Sequence, residues 1–367
     1  MENPDAEARY FEVAGRAEEA PNGGAKVAMC EEAVRLADAM RDDETAFEAR
    51  MQLTNAAQFG GRPDVAFVSF SWCLAYADQR PDEIEPRRIL WHYKWMAGSL
   101  PNFPDVPRSQ IAALMADLTR RFRAQGSTLH AVHQIRRDTA LTMYDTRAAR
   151  AAHKKFLQTE RDELSNCKAC VQNADVSYQI EQGDDEAAEA AARPILKGKM
   201  SCTVVPHTTY GKMLLPYLRL GNPAEAMRCH KVGYPLVRAN PAFLTYHGQH
   251  MALLALTGNN GRAAQLLNRH LPTALECPMP DQCFRFYRDA VVTLEIFEGS
   301  PRPPIVRVPP GVPGDGTPAA LRAWLNDGLA TLAARFDARN GNSGYTDDIA
   351  ATQGDLALAT KFPYDGV

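Results

Sequence analysis

A chain of 367 residues, 45% hydrophobic and 23% charged, holds enough apolar matter for a sizeable core and too much for wholesale disorder. Its 41 basic and 44 acidic residues leave a formal net charge of -3, so no excess of positive charge indicates a nucleic-acid partner. No apolar run approaches the roughly 18 residues that cross a bilayer, and eight cysteines are too sparse for a secreted disulfide scaffold.

The opening residues, Met1 to Glu7, carry neither the basic segment nor the apolar stretch of a signal peptide. The expectation is a cytoplasmic protein, with thiols reduced or bound to metal and no membrane association. The abundance of alanine and arginine suggests a bacterial source.

From there to about residue 298, apolar residues recur at three- and four-residue spacing and strand-like alternation is scarce, which predicts an all-α fold. Turn signals punctuate the helices at Gly23-Gly24, Gly60-Gly61, Gly98, Tyr144-Asp145, Gly183, Gly221 and Gly258. The interval is 37 residues from Gly24 to Gly61, from Gly61 to Gly98 and from Gly221 to Gly258, and 38 from Gly183 to Gly221. A small residue follows five places after four of these glycines, at Ala66, Ala188, Ala226 and Ala263. Glycine would end one helix in the left-handed conformation, and the alanine would let the next helix approach closely. The acidic run Asp184-Asp185-Glu186 reads as a helix start. Phe67, Phe70, Trp91 and Trp95 share helix faces that should fill the core, with His92 and Lys94 on a solvated face.

The pairs Cys167-x-x-Cys170 and Cys202-x4-His207 offer three thiolates and an imidazole, a complete tetrahedral set for zinc. His207 follows Cys170 by 37 residues, one interval, so both pairs should meet on adjacent hairpins and staple them through a structural Zn2+. Ordinary buried thiols and a redox-active Cys-x-x-Cys are the competing readings. Beyond them, residues 207–250 crowd polar rings together. His230, Tyr234, Arg238, Asn240, Tyr246, His247 and His250 form a belt that could bind a partner's carboxylate, the competing reading being internal packing.

Within this region Tyr210, Tyr217, Ala226 and Gly233 fall where the tetratricopeptide repeat family places aromatic or small residues. The chain resembles a divergent form of that superfamily, although His230 and Arg238 depart from the usual pattern and the interval exceeds the family's 34 residues. The resemblance implies a right-handed superhelical array of about seven or eight helical hairpins over residues 1–299, with a groove for a protein or peptide. It implies no catalytic residue.

Seven prolines between residues 300 and 318 predict an extended linker. Residues 319–340 follow as an amphipathic helix, with Leu321, Trp324, Leu325, Leu329, Leu332 and Phe336 on one face, suited to cap the array or to dock elsewhere. Residues 341–367, rich in glycine, should pack poorly. Phosphate-binding loops, Gly-x-Ser-x-Gly and His-Glu-x-x-His are all missing. The expectation is therefore a non-enzymatic helical-repeat scaffold carrying a structural zinc. A repeat enzyme or ligand sensor using the belt, or the sensing arm of a bacterial signalling or defence complex, stand as alternatives.

Overall fold

The protein is described by a computed structural model covering residues 4–309, 312–313 and 317–365. The first three residues, five linker residues and the last two residues lie outside the described set. Among the described residues the chain is helical, and the nearest thing to a strand is an isolated antiparallel bridge between Cys202 and Val205. Among the described residues no helix is long and apolar enough to cross a membrane.

Consecutive helices pack as eight antiparallel hairpins, within the expected range. The first half comprises α1 (Pro4–Glu19) with α2 (Gly24–Met40), α3 (Asp43–Phe59) with α4 (Pro63–Gln79), α5 (Pro86–Ser99) with α6 (Arg108–Ala124), and α7 (His130–Thr142) with α8 (Thr146–Gln158). Next come α9 (Lys168–Glu181) with α10 (Asp185–Leu196), then two short helices, α11 (His207–Lys212) and α12 (Leu214–Arg219), with α13 (Pro223–Val237). The short pair is one helix interrupted where Pro216 offers no N–H to the carbonyl of Lys212. The last hairpins are α14 (Leu244–Leu256) with α15 (Asn260–Leu275) and α16 (Pro280–Glu298) with α17 (Pro318–Asn340), followed by α18 (Gly344–Leu356).

Turn chemistry accounts for the regular interval. Gly61, Gly183, Gly221 and Gly258 have φ of 79°, 74°, 69° and 78°, the left-handed state that glycine reaches without strain. Tyr144 takes the same role at φ 54°. Ala66, Ala188, Ala226 and Ala263 have no exposed surface, as close helix approach requires. Asp145, Asp184 and Asn222 each cap the helix that follows by accepting a backbone N–H. Gly98 departs from the expected punctuation. It lies inside α5, and the break falls later, at a 3-10 turn over Leu100–Asn102 followed by Pro104 and Pro107.

The array curls until distant hairpins touch. Asn240 Nδ2 donates to the carbonyl of Phe59 (2.8 Å), joining the α13–α14 connection to the end of α3. The Arg339 guanidinium donates to the carbonyls of Pro101, Phe103 and Val106 at 2.7, 3.0 and 3.3 Å. Arg108 answers with a bond to the carbonyl of Asn340 (2.7 Å). The C-terminal helices thus close against the α5–α6 connection.

The C-terminal expectations divide. Helix α17 forms nearly as bounded and buries Leu321, Leu325, Leu329 and Phe336 against α16, so it covers the end of the array. The linker residues that are described contain no helix and run along α15, where the Asn268 side chain bonds Ile305 and Arg307 of the linker backbone. The segment 341–365 is mostly exposed or half-buried, with Tyr345 and Thr352 buried, and it is anchored at a few points. Gly341 turns the chain at φ 71°, and Tyr345, fully buried, stacks on Phe336 at 4.2 Å. A Cβ on Gly344 would lie 2.2 Å from that of Tyr144, so only glycine permits this approach. Past α18, Thr360 and Phe362 donate backbone N–H groups to Leu256 and Thr257.

Candidate functional site

Three of the four expected metal ligands come together. Cys167 caps the N-terminus of α9, Cys170 lies in its first turn, and the Cys202–Val205 turn folds Cys202 over both. All three Sγ atoms lie within 4.8 Å of one another. Thiolates on one tetrahedral ion, at about 2.3 Å from it, would be about 3.8 Å apart, so the donor set fits a metal after a small contraction. Burial opposes ionisation of Cys167, but the backbone N–H of Cys170 and the thiols of Cys202 and Cys170 outweigh it and hold Cys167 below the usual thiol range. Burial and the neighbouring Cys167 raise Cys170. Cys202 is solvent-exposed, which leaves the outer side of the cluster open.

His207 stands outside this group. It begins α11 after a cis Val205–Pro206 bond, and its ring lies parallel to Phe243 with centroids 6.0 Å apart. One interval does bring α9 and α11 side by side, as Asn173 shows by bonding Thr208 (3.1 Å) and Thr209 (2.7 Å). The helices are in the expected register, while the histidine ring lies against Phe243 and is not among the clustered donors. The helical period fixed the neighbours and not the side-chain direction.

The polar belt is mostly internal. His230, His247 and His250 are 3%, 1% and 0% exposed, so they cannot form a partner surface. His230 and His250 are hydrogen-bonded through their Nδ1 atoms (3.1 Å), Tyr234 bonds His270 (2.9 Å), and His247 Nε2 donates to the carbonyl of Val237 (2.9 Å). His247 also stacks on His270 at 3.9 Å. Burial pushes His230 and His247 down to about 4 and His270 to about 3. Asn240 is committed to Phe59, and Arg238 is exposed beyond the end of α13. Only Tyr246 of the seven faces the interior of the array.

That interior is a cavity of about 950 Å³ enclosed by the curl, with walls from α7, α9, α11, α12, α14, α16 and α18. Its charge is arranged in two ways. On one side Arg288 is clamped by Asp348 (3.3 Å), Asp355 (2.5 Å) and Asp289 (3.5 Å), Arg285 pairs with Asp281 (2.9 Å), and Arg219 grips Asp185 through two 2.7 Å bonds. Burial raises Asp289 to about 7 despite Arg288. Elsewhere the charges stand without an ion pair. Lys212 donates only to the carbonyl of Asn173 (3.1 Å), and burial lowers it to about 8. Glu181 lines the same cavity with its side chain exposed to it, and desolvation by the surrounding walls raises it. Gln249 Oε1 is buried there without a hydrogen-bond donor, and burial pushes the Tyr246 hydroxyl up to about 12.

No family model and no curated protein matches this chain. Its function must therefore be argued from this geometry. Sequence reasoning missed the cavity residues because they come from hairpins far apart in the chain. A signal existed on α16, where Asp281, Arg285, Arg288 and Asp289 lie at helical spacing and form a charged stripe along the first half of the helix.

Proposed function

We propose that this protein is a tetratricopeptide-like, non-enzymatic scaffold that holds an extended peptide segment of a protein partner inside its central cavity. The observation that carries this reading is the pair of unspent charged groups on the cavity wall, a carboxylate at Glu181 and an ammonium at Lys212. A peptide backbone offers both donors and acceptors, and its side chains can supply charge of either sign. The cavity volume is within the usual range of ligand sites, about 300–1,000 Å³. We assign zinc to Cys167, Cys170 and Cys202, where it would fasten the start of α9 to the 197–206 loop with its fourth position left to water or another donor.

The peptide reading is tested by selecting displayed random octapeptides on the untagged protein, then measuring affinities for Glu181→Gln and Lys212→Met. Enriched peptides should lose about tenfold or more in affinity with at least one variant. No saturable binder, or binders indifferent to both changes, would sink it. For the metal, elemental analysis should find close to one zinc per chain, lost in Cys170→Ser together with thermal stability. Metal-free native protein removes the assignment.

A further inference from the structure

A second cavity, of about 380 Å³, opens between α6, α7 and α8 and shares no lining residue with the central one. Helix α7 separates them. Asp138, Leu141 and Thr142 face the central cavity, while His133, Arg136, Ala140 and Met143 face the second. These sets recur at three- and four-residue spacing, so one helix serves two compartments with opposite faces.

The second cavity combines an apolar floor with a cationic rim. Ile111, Met115, Ala140 and Met143 supply the floor, and all four are buried. Arg136, His133 and Lys155 stand at the rim. The carboxylate in its lining, Asp145, is committed to the backbone N–H of Ala148 at the start of α8 (2.9 Å). Arg136 donates to the Thr119 hydroxyl (3.0 Å) and has no ion pair among the described residues, nor has Lys155. Burial, then Arg136, Lys155 and Arg123, lower the His133 imidazole, which records how little negative charge is near.

A carboxylate would accept from Arg136 and pair with Lys155 at the rim, and a hydrocarbon tail would cover the apolar floor.

We propose that the α6–α7–α8 cavity binds a small anionic amphiphile, a carboxylate bearing a single aliphatic chain, with its head at Arg136 and Lys155 and its tail on Met115 and Met143. The site is independent of the peptide reading. Decanoate, titrated calorimetrically into the full chain below its micelle concentration, should bind saturably with one molecule per chain. Decanol, without the charge, and acetate, without the tail, should each bind at least about tenfold more weakly. The double variant Arg136→Met, Lys155→Met should lose about tenfold or more in decanoate affinity. Ala151→Trp, from an exposed position on the α8 wall, should abolish binding by filling the space. Ala112→Trp on α6 provides the same test should Ala151→Trp lose its helical circular dichroism. Equal binding of decanol, equal binding of acetate, no saturable binding, or unchanged affinity in a folded tryptophan variant would each overturn the proposal.

Discussion

The histidine cluster within α13–α15 and the charged wall of the central cavity both concentrate polar side chains, and they treat them in opposite ways. In the cluster, rings mostly bond inward, His230 with His250, Tyr234 with His270 and His247 with a backbone carbonyl, leaving His247 Nδ1 and His250 Nε2 buried without partners. Exclusion of water keeps the imidazoles neutral. In the cavity, Glu181 and Lys212 line the wall without an ion pair among the described residues, although burial pushes both toward their neutral forms. The difference teaches that polar residue types at helical spacing define a shared face, whereas the neighbouring helix decides whether that face becomes core or site.

Acid should separate the two regions most strongly. Imidazoles free in the unfolded chain take up protons near 6.5, whereas His230 and His247 resist until about 4 and His270 until about 3. Stability from the cluster is therefore full above pH 6.5 and declines as pH falls toward 4. The slope is about 1.4 kcal/mol per pH unit for each histidine, so several kcal/mol should be lost by pH 5. Urea unfolding between pH 7.5 and 5 checks this, and a flat profile would mean that the cluster is open to water.

Removing the clamp on the cavity wall should rank next. Arg288→Met leaves Asp289, Asp348 and Asp355 facing one another in a largely buried position, with an expected cost of about 3–5 kcal/mol by denaturant unfolding. The smallest effect belongs to Lys212→Met. Its ammonium has one carbonyl partner and no ion pair, so stability should change by about 1 kcal/mol or less while peptide affinity falls. A large destabilisation by Lys212→Met would turn the cavity wall into a structural network like the cluster and remove the contrast.

Much of the architecture was legible because turns and close contacts are local. Glycine at a fixed interval and alanine five places on encode where helices end and how near they come. The linker and α17 were readable for the same reason. The regularity failed at Gly98, where prolines at 101, 104 and 107 moved the break, and in the tail, where Tyr345 finds its core through the distant Tyr144 and Phe284 as well as the nearby Phe336. Three thiols were legible as one cluster from spacing, but the direction of His207 depends on the Cys202–Val205 turn. The cavity could not be read at all from one helix, since its wall exists only after the array curls.

That curl has a mechanical consequence. In an open stack each repeat touches only its immediate neighbours, so stability adds up piecewise and ends can fray alone. Here the bonds from Asn240 to Phe59 and from Arg339 to residues 101–106 tie together segments about 180 and 235 residues apart. The molecule behaves as a hoop rather than a spring: a guest threading its centre must enter through a face or unfasten a clasp, and tension at one seam is felt all the way round.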